Sequence, residues 1–139
     1  MITIAPTRNI TTCRQLRRIV FIEEQGVSAD RELDDQDDEA VHLLASVNGI
    51  PMGSARLLTY GDIGKIGRVC VLIPARGTGL GAALIRAAVD QFRQTPGIHR
   101  VRLGAQSHAL GFYERLGFTA FGDEYLDAGI AHRDMDLTL

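Results

Sequence analysis

A glycine-rich turn, Arg76-Gly-Thr-Gly-Leu-Gly81, lies between a predicted strand and the longest predicted helix. Exposed amides at such a turn, together with the positive end of the helix dipole, can bind a phosphate or pyrophosphate group. Glycine keeps β-carbons away from those amides, and the Arg76 guanidinium suits phosphate oxygens. The turn therefore predicts an anion site, with a plain helix start as the structural alternative.

Two nucleotide-binding motifs share part of this pattern but fit it poorly. A P-loop requires Gly-Lys-Ser/Thr, whereas Leu80, Gly81 and Ala82 follow Gly79 here. A dinucleotide-binding fingerprint requires a third glycine at position 84, which is Leu84, and it comes early in a βαβ unit. Three consecutive meander strands are predicted before this turn instead, so both motifs are disfavoured.

Several side chains could accept a proton during catalysis. Glu23 and Glu24 end the first predicted helix, and His42 and His132 lie on predicted strands. Each could act as a base, directly or through water, or could instead be a solvated glutamate or a packed histidine. No pair among the four histidines has a metal-ligand spacing, so no metal is expected.

The segment from Asp30 to Glu39 contains seven acidic residues among ten, and its only basic residue is Arg31. It does not match a calcium loop, because Asp35 stands at position six and Val41 at position twelve. The segment is predicted to be a solvated loop. The alternative is a surface that attracts a cationic substrate such as a polyamine, an aminoglycoside or a lysine side chain.

The elements that must position these residues follow from periodicity. A capping box at Thr12 and Gln15 predicts a helix over about 12–24. Alternating apolar residues and the Asn48-Gly49 turn predict three meander strands over 41–47, 51–60 and 65–72. Cys13 and Cys70 fall within this half and are expected to be small core residues rather than redox or nucleophilic groups.

The second half alternates helices and strands. An apolar stripe follows the glycine turn until Pro96-Gly97, which predicts the longest helix. A strand over 99–104, a short helix near 111–117, and strands over 118–122 and 131–137 come next. With a first strand at the N-terminus, this order predicts a mixed α/β fold: a mostly antiparallel sheet of six to seven strands with helices on both faces.

Length and composition limit the classes of protein that fit. A chain of 139 residues with 45% hydrophobic residues forms one domain, 1–139, with its own core. A net charge of −2 gives no reason to expect nucleic acid or an acidic membrane as a partner. No apolar run approaches the roughly 20 residues of a membrane span, and no secretory signal is present, so a cytoplasmic protein is expected.

Two motifs resemble those of one family. Arg76-x-x-Gly79-x-Gly81 at a helix start is similar to the Gln/Arg-x-x-Gly-x-Gly/Ala signature of the GNAT superfamily of N-acetyltransferases. Ala109-Leu-Gly-Phe-Tyr-Glu-Arg-Leu-Gly-Phe118 is similar to its second landmark, a helix with Phe-Tyr before a Gly-Phe strand. Phe21-Ile-Glu-Glu-Gln25 and Gly129-Ile-Ala-His132 resemble the ElaA-like branch. The order of elements agrees over essentially the whole chain.

The resemblance implies an acetyl-CoA site and an acceptor site. The pantetheine arm is expected on the strand of Val69 and Val71, and the pyrophosphate on the glycine turn. Many family members carry Asn where this chain has Gln106, so that contact depends on a longer amide. The expected cofactor contacts are Val69, Cys70, Val71, Arg76, Gly77, Thr78, Gly79, Leu80, Gly81, Ala82, Gln106, Phe112 and Tyr113. The expected acceptor contacts are Glu24, Gln25, Asp34, His42 and His132.

The same resemblance implies the reaction. A primary amine of a small molecule or peptide would attack acetyl-CoA directly, with Tyr113 protonating the departing thiolate and Glu23 or Glu24 as the base. The Val71 amide is the expected oxyanion donor. Tyr113 could instead be a packed aromatic residue. A homodimer is possible, and the alternative function is an acyl-CoA sensor or regulatory module without transferase activity.

Overall fold

A seven-stranded sheet is the centre of the computed structural model, which describes all residues, 1–139. The strand order is β1-β2-β3-β4-β5-β7-β6, and every neighbouring pair is antiparallel except β4 and β5. The predicted mixed, mostly antiparallel sheet is therefore confirmed. The strands are β1 (Ile2–Thr7), β2 (Val41–Val47), β3 (Ile50–Tyr60), β4 (Ile63–Val71), β5 (Arg100–Gln106), β6 (Thr119–Asp127) and β7 (Ile130–Thr138).

Helices cover both faces of the sheet. On one face α3 buries Leu84, Ile85 and Phe92 in the main core. On the other face the first helix packs Leu16 and Val20 against Cys70 of β4 in a smaller apolar cluster. The α-helices are α1 (Ile10–Arg17), α2 (Ala29–Glu32), α3 (Leu80–Arg93) and α4 (Leu110–Glu114). No helix is long and apolar enough to cross a membrane.

The first helix differs from its prediction at both ends. Asn9 caps it, since its side chain accepts a hydrogen bond from the Thr12 amide at 3.2 Å, so the predicted capping box at Thr12 and Gln15 is wrong. From Arg18 to Glu24 the chain continues as a π-helix rather than an α-helix. π-Helical turns are rare and often occur at functional sites, and this one ends at Glu24, close to the expected acceptor site.

The last hairpin is longer than predicted. β6 reaches Asp127, five residues beyond the predicted end at Gly122, and pairs with β7 as far as Asp127 and Ile130. The connecting residues Ala128 and Gly129 both have positive φ, 52° and 78°, as a tight hairpin turn requires. A register shift between Phe121 and Tyr125 interrupts the ladder and hides the strand from a periodicity argument.

β4 diverges from its neighbours in its second half. It pairs with β5 only from Ile63 to Ile66, where Ile66 faces Leu103, and the two strands then separate. Opposite β3 it carries a bulge, because Gly67 faces Arg56 and Cys70 faces Ser54, which leaves two residues opposite one. The separation opens a wedge in the sheet.

Candidate active site

A cleft of about 650 Å³ occupies the wedge between β4 and β5. Such a volume is in the range of small-molecule sites. One end is lined by Val69, Val71, Gly81, Phe112 and Tyr113. The opposite end is lined by Arg31, Gln36, Arg56, Lys65 and Arg68, and the β6–β7 hairpin supplies Tyr125, Asp127 and His132 along a third side.

The glycine turn lies at the rim of this cleft. α3 begins at Leu80 after Gly79, whose φ of +88° suits glycine, and no side chain caps the helix. The amides of Leu80, Gly81 and Ala82 have no hydrogen-bond acceptor within the chain. Free first-turn amides at an uncapped helix are the geometry that an anion site needs.

The other predicted residues of the turn differ in access. Gly81 lines the cleft, and a β-carbon there would lie 3.5 Å from the Phe112 ring. Gly77 and Thr78 are exposed outside the cleft lining. Leu80 is fully buried in the core, so only its backbone can meet a ligand.

Arg76 is engaged by Glu24 rather than free. Its Nη1 and Nη2 donate to the two Glu24 carboxylate oxygens at 2.7 and 2.6 Å, and its Nε donates to the Val71 carbonyl at 2.9 Å. The hydrogen bonds from Arg76 hold the pKa of Glu24 below its usual value. Both oxygens of the predicted base are thus occupied, and Glu23 is exposed and does not line the cleft. The geometry favours neither glutamate as the base.

Tyr113 lines the cleft from α4. Its ring makes edge contacts with Phe112 and Phe118, at centroid distances of 5.0 and 6.1 Å. Its hydroxyl has no hydrogen-bond partner within the chain. Burial raises the pKa of Tyr113 to about 12, so the phenol carries its proton at neutral pH. The packing and the free hydroxyl together suit a proton donor.

His132 lines the same cleft from β7. Its Nδ1 lies 2.7 Å from the Ile130 carbonyl, which can only accept, so Nδ1 carries a proton, and in the neutral ring Nε2 is the nitrogen with the lone pair. Nε2 has no partner within the chain. The ring stacks on Tyr125 with centroids 5.9 Å apart. A neutral histidine held in this tautomer has a free basic nitrogen.

Tyr125 forms the wall beside this histidine. Its hydroxyl donates to Asp134 at 2.6 Å and passes over Gly104, where a β-carbon would lie 2.5 Å from the Tyr125 oxygen. Glycine at position 104 therefore leaves the space that the Tyr125 hydroxyl occupies. Tyr125 lies beyond the predicted end of its strand, so periodicity did not indicate it.

His42 and Asp34 lie apart from the lining of the cleft. His42 is buried on β2 with its Nε2 2.9 Å from the Asp37 carbonyl oxygen, and it does not line the cleft. Asp34 also lies outside the lining and accepts hydrogen bonds from Arg56 at 2.7 Å and Arg68 at 3.2 Å. Neither residue therefore lines the cleft, and their contacts with an acceptor stay predictions. Gln25 lines the cleft and accepts a hydrogen bond from Gln106 at 3.1 Å.

The acidic segment is largely a structural element. Arg17 is 1% exposed and binds both Glu32 and Asp37, with the Asp37 contact at 2.9 Å. Arg56 contacts Asp37 at 3.2 Å. Glu32 and Asp37 are themselves almost fully buried, so the predicted solvated loop is wrong for these residues. Internal arginines neutralise Glu32, Asp34 and Asp37. The other four acidic residues, Asp30, Asp35, Asp38 and Glu39, are exposed, but none of them lines the cleft.

The two cysteines are buried and free, as predicted. Cys13 lies in the core face of α1, and Cys70 packs with Leu16 and Val20. Burial raises the pKa of the Cys70 thiol to about 12. A thiol that stays protonated at neutral pH is a poor nucleophile, which agrees with direct attack by the amine.

Relatives of the chain carry acetyltransferase names. A Bacillus subtilis (strain 168) protein named as an acetyltransferase is 34% identical over 132 residues, which cover 93% of this chain and 89% of that protein. Protein ElaA of Escherichia coli (strain K12) is 33% identical over 125 residues, covering 87% and 82%. The crystal structure of Escherichia coli ElaA superposes with a TM-score of 0.87 and 27% identity over 99% of both chains.

The same fold occurs with acetyl-CoA bound. A GNAT family acetyltransferase from Elizabethkingia anophelis, whose structure contains acetyl-CoA, has a TM-score of 0.74 at 18% identity and covers 99% of this chain and 98% of its own. At that identity the likeness concerns the fold alone. The model of the acetyltransferase (GNAT) domain matches residues 19–139. That match, the ElaA likeness and the wedge-shaped cleft lead to one conclusion: this chain is an enzyme of the GNAT acetyltransferase family.

Proposed function

We propose that the enzyme transfers an acetyl group from acetyl-CoA to the primary amine of a small molecule or peptide by direct attack. The observation that carries this proposal is one cleft that contains a free proton donor, the Tyr113 hydroxyl, and a free proton acceptor, His132 Nε2. Amine acetylation from a thioester needs one group of each kind.

The proposed position of acetyl-CoA, the acetyl donor, follows from backbone groups that have no hydrogen-bond partner within the chain. The free amides of Leu80, Gly81 and Ala82 suit the pyrophosphate. The β4 edge that loses its β5 partner beyond Ile66 suits the pantetheine arm, around Val69 and Val71. A neighbour of the same fold whose structure contains acetyl-CoA supports acetyl-CoA as the donor. Arg76 would join the phosphate contacts after releasing Glu24.

One side chain is then proposed for each of the two proton transfers of the reaction. The neutral amine forms a new bond to the thioester carbonyl carbon, and the carbon–sulfur bond breaks. We assign the proton lost by the amine nitrogen to His132 Nε2, in place of Glu23 or Glu24, directly or through water. The proton gained by the departing thiolate comes from Tyr113. The Val71 amide remains the proposed oxyanion donor on the diverging strand.

The decisive test removes the hydroxyl oxygen of Tyr113. Tyr113→Phe should retain acetyl-CoA affinity, measured by calorimetric titration, and should lose turnover by about 10²-fold, measured as CoA release with an accepted amine. Tyr60→Phe is the matched control, because Tyr60 is exposed and lies outside the cleft. Unchanged turnover in Tyr113→Phe would remove that residue from the mechanism. Binding of acetyl-CoA without transfer to any amine would instead support the sensor function.

Two further expectations remain predictions. A homodimer is expected from the family resemblance, and sedimentation velocity of the purified protein tests it. A cytoplasmic location is expected from the need for acetyl-CoA, and fractionation of expressing cells tests it.

A further inference from the structure

The lining of the cleft at the end farthest along β4 from the glycine turn carries excess positive charge, because its one carboxylate, Glu32, stands among Arg31, Arg56, Lys65 and Arg68. A connected cluster joins four guanidinium groups to only three carboxylates. Lys65 and Arg31 also line this end, and neither forms an ion pair within the chain. The cluster consists of Arg14, Arg17, Arg56 and Arg68 with Glu32, Asp34 and Asp37.

Arg68 is a member of this cluster that lines the positively charged end of the cleft. It occupies the β4 bulge with a φ of +50°, a backbone conformation that costs a non-glycine residue about 1–3 kcal/mol. Its Nε and Nη2 donate to the Glu32 carbonyl, and Nη2 also reaches Asp34 at 3.2 Å. Its Nη1 donates to no atom of the chain. Burial, and after it the nearby Arg56, lower the pKa of Arg68.

The carboxylates that line the cleft do not balance these cations. Glu24 is held by Arg76, and Glu32 is held by Arg17. Asp127, at the end of β6, is the only remaining acidic residue of the lining, and it has no ion-pair partner. It lies on the hairpin that also supplies His132. The lining thus has an unpaired carboxylate on the hairpin that carries the proposed base, and it is basic around Arg68.

On the basis of the proposed function, we propose that the acceptor is an amine that also carries a carboxylate, such as an α-amino acid, and that Arg68 with Lys65 binds this carboxylate. A guanidinium with a free nitrogen and an unpaired ammonium are suited to an anionic group. The acceptor's amine would then lie toward His132 and Asp127. A simple polyamine would instead meet the basic end of the cleft and be repelled.

The test uses pairs of probes that differ only in the carboxylate. L-Amino acids and their carboxamides are offered to the enzyme with acetyl-CoA, together with spermidine, and CoA release gives kcat and KM for each. The carboxamide amine is the less basic, so more of it is neutral and reactive. A preference for the acid therefore opposes intrinsic reactivity. We expect kcat/KM at least about tenfold higher for the accepted amino acid than for its amide, mainly through KM.

Charge-removing variants locate the effect. Arg68→Gln and Lys65→Gln should each reduce the ratio of acid to amide and leave acetyl-CoA affinity unchanged. Lys65→Gln covers the case in which Arg68→Gln fails to fold, because the Lys65 side chain is exposed and makes no hydrogen bond within the chain. The control is Arg93→Gln, which removes the same charge from an exposed position on α3 outside the cleft.

The outcomes separate the two proposals. Equal or better transfer to amides or spermidine overturns the carboxylate inference and leaves the acetyltransferase proposal in place. A preference for the acid that neither variant reduces also overturns it. Acetyl-CoA binding without transfer to any of these probes overturns the carboxylate inference, whereas the acetyltransferase proposal falls only when no amine of a wider screen, peptides included, is acetylated.

Discussion

Arg76 and Glu24 form an exposed, two-point ion pair between the glycine turn and the end of the π-helix, with side chains 40% and 34% exposed. Exposed pairs of this kind contribute about 0.2–1 kcal/mol, because water screens them. A phosphate that recruits Arg76 must first overcome this contact. At the proposed donor site the pair would therefore weaken donor binding slightly.

This competition predicts the effect of one neutralising change. Glu24→Gln should tighten acetyl-CoA binding by up to about fivefold in calorimetric titration, because Arg76 is released. Turnover should persist, since Glu24 is not the proposed base. Glu39→Gln, an exposed residue outside the cleft, serves as the charge control. Turnover that collapses in Glu24→Gln alone would return the role of base to this glutamate.

His132 makes the complementary prediction. His132→Ala should lower turnover by about 10²-fold without changing acetyl-CoA affinity, because the free Nε2 lone pair is removed. Added imidazole should restore part of the lost turnover in this variant, which a merely structural role would not allow. His99→Ala is the matched control at an exposed position. Absence of both the loss and the rescue would exclude His132 as the base.

At the scale of elements, the chain between the π-helix and β2 depends on buried charge rather than apolar packing. Burial opposes ionisation of Asp37, but hydrogen bonds from Arg17, Arg14 and Arg56 outweigh it and hold its pKa well below the usual range. The pKa of Asp34 is lowered as well, since contacts with Arg56 and Arg68 exceed the effect of burial. The ion pairs thus hold α2 and the following turn against β3 and β4.

The lowered carboxyl pKa values predict how stability depends on pH. A group whose pKa is depressed by folding stabilises the fold above its unfolded pKa, about 3.9 for Asp, and this contribution is lost as the pH falls below that value. Urea midpoints should therefore be constant from pH 6 to about pH 5 and decline from there to pH 3. Asp37→Asn should cost about 3–5 kcal/mol at pH 7, because it leaves Arg17 partly unpaired in a buried position.

The comparison that isolates this cluster is the slope of stability against pH. Asp37→Asn should flatten the slope, whereas Asp35→Asn, at an exposed residue without an ion pair, should leave it unchanged. A parallel decline in wild type and Asp37→Asn would show that other carboxylates dominate acid unfolding.

At the scale of the whole molecule, local signals predicted the elements and missed the contacts between distant segments. The glycine turn and the Phe112-Tyr113 motif are contiguous in sequence, so the family resemblance and the position of the wedge could be predicted. The acidic segment was interpreted as solvated because its partners Arg17, Arg56 and Arg68 come from a helix and two strands elsewhere. Charge pairing over such separations has no local signature.

The acceptor side shows the same division. His132 could be predicted as a candidate from its type and motif, but its tautomer depends on the Ile130 carbonyl. Arg68 escaped attention because a bulge, visible only in the register of β3 and β4, moves it out of the ordinary alternation. Glu24 was predicted as a base because nothing in the sequence indicates that Arg76 occupies it.

β7, the last strand in sequence, lies inside the sheet between β5 and β6. During synthesis a ribosome holds back the most recently added residues, so β5 and β6 cannot be joined until Thr138 has emerged. Until then β5 has an open edge, β6 has no neighbour, and His132 has no strand to place it. Trimming the chain into β7 should therefore abolish the enzyme rather than shorten it.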